Sequence, residues 1–369
     1  MDPTRRQVLH AAGAGVALAC SGSARAERSK GDALDEALHR IHRREPDSVN
    51  GLSTHAPMVA EVLDAHGRAD RIAAWLDGYR GTTRQLPRAT RRIDPARWRD
   101  ALGPDVAASS WERANPRWAD WVELFTAELA ARSWREVLDR WVGRLAPGLV
   151  GAATHGVIRT SHAARAMARR DTPERRAELA RGLAYWASSY EELAGRGPAV
   201  ASLDKVPRYW DATGHRPGGS SITDGLRHVK ELDAFPAKVE IAGDLSALTA
   251  RFAQAFLDHG TRHDAIAFVH AVTGPCSLRR LAPCIQPATA RAAMPHAWRA
   301  AAMIYAMYAR PGDARREARP TLSRDELVAR AIDGGDEHAI KFTETALGEH
   351  ALDPNPVYLA AAESAIAQL

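Results

Sequence analysis

Over most of its length the chain repeats apolar residues at intervals of three and four, with Ala, Leu, Arg and Glu dominating and Val-Ile-Thr alternation nearly missing. That spacing follows the 3.6-residue turn of a helix and opposes the two-residue period of a strand, so the sequence predicts helix almost throughout and little sheet. The predicted segments are 33–43, 56–65, 69–79, 118–131, 134–145, 149–169, 173–194, 245–258, 265–272, 278–285, 297–309, 324–332, 337–347 and 356–368. Local punctuation supports several of them. Thr172-Pro173-Glu174 places a capping hydroxyl before a proline at the first helical position, and Pro147-Gly148 separates two helices. The stretch 209–222, with Gly214, Pro217, Gly218 and Gly219, reads as a loop or lid. With 369 residues and 45% hydrophobic side chains, the expectation is an all-α chain with one large bundle-like helical domain over 27–369. No period of 20 to 50 residues recurs, which argues against a solenoid. Trp111, Trp118, Trp121, Trp134 and Trp141 fall close together within predicted helices, where core packing is the expected role.

Charge excludes one class of function. The formal net charge is +5, from 50 basic and 45 acidic residues, and both signs are interspersed along most of the chain. Such a balance does not create the one-sided field of a nucleic-acid binder. The exception is Arg80, Arg84, Arg88, Arg91 and Arg92, a run without acidic residues that reads as a solvated loop or as a gate for an anionic substrate. No apolar stretch reaches the roughly 18 uncharged residues of a membrane span.

The amino terminus reads as a processing signal rather than as fold. Thr4-Arg5-Arg6-Gln7-Val8-Leu9 is a twin-arginine start, a small and apolar run follows from Ala11 to Ala19, and Ala24-Arg25-Ala26 offers a cleavage pattern. Residues 1–26 are therefore expected to engage the twin-arginine export machinery and be removed, leaving a periplasmic or secreted protein. A lipoprotein start at Leu18-Ala19-Cys20 is the alternative, with Ala17 standing where a larger apolar residue is usual. Cys276 and Cys284 would remain in an oxidising compartment. Eight residues of continuous helix would hold them about 12 Å apart, too far to pair, unless Pro283 breaks the helix.

Four histidines stand in apolar or tightly turned contexts: His55 in Thr54-His55-Ala56-Pro57, His155 in Thr154-His155-Gly156, His270 in Phe268-Val269-His270, and His338 in Glu337-His338-Ala339. Each is a candidate metal ligand, since neutral imidazole binds iron, zinc and copper alike. His39, His42, His66, His259, His263 and His350 lie in polar settings and read as surface or capping groups. His338 and Lys341 are three apart and share a helical face, which Glu344 continues. A buried lysine beside a metal must lose its proton or gain a compensating charge, and carboxylation of its amine would turn it into a long anionic ligand. His155 and His162 also share a face but lie about 10.5 Å apart along the axis, too far to bind one ion side by side. His155 is thus assigned to the metal, and His162 with Arg159 to supporting or substrate contacts. Gly13-x-Gly15 falls in the export signal without a strand-helix-strand context and is discarded as a dinucleotide loop. No Gly-x-Ser-x-Gly, His-Glu-x-x-His or paired Cys-x-x-Cys occurs.

The segment from Trp141 to Val150, continued by Thr154-His155-Gly156-Val157-Ile158-Arg159-Thr160-Ser161-His162-Ala163, resembles the central signature of the questin oxidase-like family. The likeness extends to Glu178-Leu179-Ala180, Ala184-Tyr185-Trp186, His270-Ala271-Val272-Thr273-Gly274 and His338-Ala339-Ile340-Lys341-Phe342-Thr343-Glu344. Thr54-His55-Ala56-Pro57-Met58 resembles the family's first histidine motif, although Asn commonly precedes that histidine. The resemblance implies oxidation of anthraquinone-type aromatics, either by Baeyer-Villiger oxygen insertion or by iron-dependent ring cleavage. Its iron form implies four histidines and a carboxylated lysine, which fall on His55, His155, His270, His338 and Lys341. The expectation is an oxidoreductase using Fe(II) and O2 on a small phenolic or quinone-type substrate, with His162 and Arg159 orienting or deprotonating the phenol. Two alternatives stand beside it: an NADPH-dependent Baeyer-Villiger monooxygenase, and an exported helical protein that binds metal or ligand without turnover.

Overall fold

Helices form where the sequence supplies their starts and stops. In a computed structural model that describes residues 32–42, 44–48, 53–79, 83–85, 88–103, 117–218, 221–240, 245–261, 263–313 and 315–369, fifteen α-helices follow one another. They are α1 (Ala33–Ile41), α2 (Ala56–Ala65), α3 (Ile72–Gly78), α4 (Trp118–Ala131), α5 (Trp134–Leu145), α6 (His155–Arg169), α7 (Pro173–Ser188), α8 (Tyr209–Thr213) and α9 (Ile222–His228), followed by α10 (Leu245–His259), α11 (Ala265–Leu281), α12 (Pro287–Tyr308), α13 (Arg324–Gly334), α14 (Glu337–Leu352) and α15 (Pro356–Gln368). Thr172 caps α7 by accepting from the backbone N–H of Arg175, Ser323 and Glu326 form a reciprocal capping box on α13, and Asp336 caps α14 by accepting from the N–H groups of His338 and Ala339. Among the described residues the protein is all-α but for one antiparallel pair of short strands, β1 (Arg44–Ser48) and β2 (Thr83–Gln85). The expected export signal and its cleavage site lie outside the described residues.

Several boundaries differ from those the sequence predicts. The predicted helix over 149–169 does not run through: two 3-10 turns, Ala146–Gly148 and Gly151–Thr154, precede α6. Segments 265–272 and 278–285 are instead one helix, α11, that passes through Pro275. Proline removes one backbone donor, and Thr273 and Ser277 add side-chain bonds to the carbonyls of Val269 and Thr273 along the same stretch. The expected loop over 209–222 contains α8, and β2 falls inside the arginine run expected as a loop. Cys276 and Cys284 are both free and buried. No helix among the described residues is long and apolar enough to cross a membrane.

Trp118, Trp121, Trp134 and Trp141 fill the core as expected, and Trp111 lies outside the described residues. Trp121 and Trp141 are fully buried and meet edge to face with ring centres 5.6 Å apart, and the Trp141 indole N–H donates to Glu128. Helices α6 and α7 approach backbone to backbone at two glycines. A Cβ on Gly156 would lie 2.5 Å from the Trp186 Cα, and one on Gly182 would lie 3.0 Å from the Thr160 Cα. This contact seats α6 closely on α7. From there α2, α6, α11 and α14 close a ring of helix-helix contacts, α2 on α6, α6 on α11, α11 on α14 and α14 on α2. All four histidines singled out by context are carried by this ring.

Candidate metal centre

Each of the four helices delivers its histidine from a position where the backbone limits ring motion. His55 occupies the N-cap position of α2, and its backbone N–H donates to the Tyr79 hydroxyl at 3.0 Å. His338 lies in the first turn of α14, which Asp336 caps. His270 sits within α11, and its Nδ1 donates to the Ile266 carbonyl at 2.7 Å. His155 begins α6, directly after Ala152, Ala153 and Thr154, whose φ values of 47°, 53° and 68° are all left-handed. Such a run is costly for residues with a Cβ. It aims the Ala152 carbonyl at His155, whose Nδ1 donates to it at 2.7 Å.

These two bonds decide tautomers. A carbonyl only accepts, so Nδ1 carries the proton in both His155 and His270, and Nε2 presents a lone pair. The His155 Nε2 lies 2.9 Å from the His55 Nε2 and 3.2 Å from the His270 Nε2. His55 can satisfy its contact by donating a proton. Between His155 and His270 no proton is left to share, so two lone pairs face each other inside the protein. The His338 ring completes the group, its centre 4.4 Å from that of His55 and 5.6 Å from that of His270.

Burial keeps the group neutral. It is the leading cause that holds His55, His155 and His338 well below the usual histidine range and His270 at about 3, with the neighbouring Lys341 charge acting in the same direction. Lys341 lies one turn beyond His338 and is 2% exposed. Burial lowers its amine to about 7, opposed by Glu337 and Asp336. The donor set fits a divalent cation. Two nitrogens bound ~2.1 Å from a shared ion at right angles are ~3.0 Å apart, close to both observed separations, and a cation between facing lone pairs removes their repulsion. Neutral imidazoles suit iron, zinc, copper or nickel.

The structure thus brings His55, His155, His270 and His338 together within range of the Lys341 charge, and places His162 and Arg159 in separate pairs further along α6. Arg159 binds Glu178 through two bonds of 2.6 and 3.0 Å, leaving its Nη1 without a partner. Burial raises the Glu178 carboxyl, but Arg159 and His42 outweigh it and hold it at about 2. His162 donates from Nδ1 to Glu61 at 2.7 Å; burial, then Arg280, lowers it to about 4. Both residues line a small recess with Pro57, Met58, Glu61 and Glu178. Two histidines read as surface groups are paired instead. His42 contacts Glu178 at 3.2 Å, and His259, only 9% exposed, contacts Asp313 at 2.9 Å.

Sequence reasoning missed three features. Glu61 carries a layer of ion pairs, accepting from Arg165 at 2.6 and 2.9 Å and from Arg169 at 2.7 Å. A lone carboxylate inside Ala-Pro-Met-Val-Ala-Glu-Val-Leu was the available signal, since a charge on an apolar segment demands a buried partner. Glu337, adjoining His338, lies 4.0 Å from His55. The left-handed run before His155 had no signal, because Gly-Ala-Ala-Thr reads equally well as helix. In comparisons with known proteins, no family model matches the chain and no curated protein matches it.

Proposed function

We propose that the protein is a non-haem iron oxygenase of the questin oxidase-like type, acting with O2 on a phenolic or quinone-type aromatic after export through the twin-arginine route. The observation that carries the reading is the position of the His155 Nε2, 2.9 Å from the His55 Nε2 and 3.2 Å from the His270 Nε2, with two tautomers held by carbonyls. His55, His155, His270, His338 and Lys341 would hold the ion. When bound, ferrous iron supplies the one-electron chemistry through which triplet dioxygen reacts with a closed-shell aromatic, which no side chain supplies.

The protein's own contribution is positional. The Ala152 and Ile266 carbonyls keep two imidazoles with their lone pairs turned inward, and the enclosing helices exclude bulk water. Lys341, with burial holding its amine near 7, exists partly as a free base at neutral pH. Attack of that amine on CO2 forms one C–N bond, releases one proton and leaves a carbamate, whose negative charge would offset part of the ion's charge. His162, held at about 4, is too weak a base to take a phenol's proton. Its contribution is therefore orientation, together with the free Nη1 of Arg159. Oxygen uptake by anaerobically iron-loaded protein, across a panel of phenols and quinones, tests this. Uptake that needs iron but not NADPH is expected. Uptake only with NADPH supports Baeyer-Villiger chemistry, and metal retention without uptake supports a binding protein.

A further inference from the structure

His55 has a second face. While its Nε2 points at His155, its Nδ1 is buried, has no hydrogen-bond partner, and lies 4.0 Å from Oε1 of Glu337. That gap is too long for a hydrogen bond. His55, Glu337 and His338 each offer one donor atom, and the three atoms lie within 4.8 Å of one another. Two donors ~2.1 Å from a common ion can be up to ~4.2 Å apart, so a small shift of one side chain closes the set. Glu337 is free to make it. Its side chain is 30% exposed, and among the described residues its one ion-pair contact is that with His55.

We propose that His55 Nδ1, His338 and the Glu337 carboxylate form a second, outer site for a divalent first-row cation. Two imidazoles and one carboxylate leave positions open for water and select zinc or ferrous ion over magnesium or calcium, which prefer all-oxygen shells. The outer site lies toward solvent, since Glu337 and Asp336 have side chains 30% and 29% exposed while Lys341 is 2% exposed. An arriving cation therefore meets these donors before the inner ones. The proposal rests on the inner-site reading only in that the two sites share His55 and His338, each of which would release its ring N–H proton to bind one ion through each nitrogen.

Zinc alone, titrated into the full chain and counted by equilibrium dialysis and native mass spectrometry, is the test. Wild-type protein is expected to take up two equivalents, one tight and one weaker. Glu337→Gln, nearly isosteric at a partly exposed position, should lose the weaker equivalent only, and His155→Ala should lose the tight one only. A single wild-type equivalent that survives Glu337→Gln, or an unchanged second equivalent in Glu337→Gln, overturns the outer site. Failure of the inner reading looks different: the tight equivalent then survives His155→Ala.

Discussion

The ring of α2, α6, α11 and α14 carries two polar layers that solve burial in opposite ways. In one, Glu61 is met by His162, Arg165 and Arg169, and Glu344 by Arg165 and Arg280, so both buried carboxylates find cations. In the other, four imidazoles and an amine converge without any counter-charge in hydrogen-bond contact, and the His55 Nδ1 is left unpartnered. Both layers lie on the same helices, at offsets of six between His55 and Glu61 and between His338 and Glu344, and of seven between His155 and His162. One layer is complete in itself. The other is complete only with something added, and this contrast makes it the candidate functional layer.

Removing a partner from each layer should therefore have opposite signs. Glu344→Gln leaves Arg165 and Arg280 without their shared carboxylate, and is expected to cost about 3–5 kcal/mol in denaturant unfolding. A loss below about 1 kcal/mol would show that the pairs are solvated. Lys341→Met, by contrast, replaces a buried amine with an apolar chain of similar length, and should stabilise the metal-free protein by about 1–3 kcal/mol while lowering its metal content. A less stable metal-free variant would contradict the contrast.

Acid sharpens the comparison further. Unfolding returns His270 from about 3 to its ordinary 6.5, so the unfolded chain binds more protons and stability falls as pH drops through that window. Each of the four histidines contributes up to about 1.4 kcal/mol per pH unit. Lys341, lowered to about 7 from 10.5, acts with the same sign, so stability rises with pH between those values. Urea titrations of chelator-treated protein at stepped pH measure the slope, and a flat profile between pH 4 and 7 would mean that the imidazoles are not buried neutral. The smallest effect concerns the turn before His155. Ala152→Gly removes a left-handed Cβ but adds unfolded-state entropy, leaving a net gain within about 1 kcal/mol. A loss of more than that would show that the alanine methyl packs usefully.

Much of this arrangement is written locally. Helices α2, α4, α5 and α15 begin and end where periodicity and capping place them, and the apolar or tightly turned neighbours of His55, His155, His270 and His338 distinguish them from the chain's other histidines. What local pattern cannot carry is the tertiary override at Gly151–Thr154, where a Cβ on Gly151 would lie 1.8 Å from the Ser189 carbonyl oxygen and the chain turns left-handed instead of continuing a helix. Nor does spacing reveal which cation meets Glu61, because Arg165 and Arg169 lie more than a hundred residues away in sequence. Arg159 and His162 show the same limit. Their helical face was legible, but their carboxylate partners come from α7 and α2.

The most direct measurement is an anaerobic ferrous titration of the wild type and of His155→Ala and His270→Gln, followed by elemental analysis after gel filtration. The account predicts one tightly held iron per wild-type chain and its loss from both variants, with helical content unchanged. Wild-type protein that holds no iron, or variants that keep it in full, would contradict the claim that these imidazoles enclose a metal.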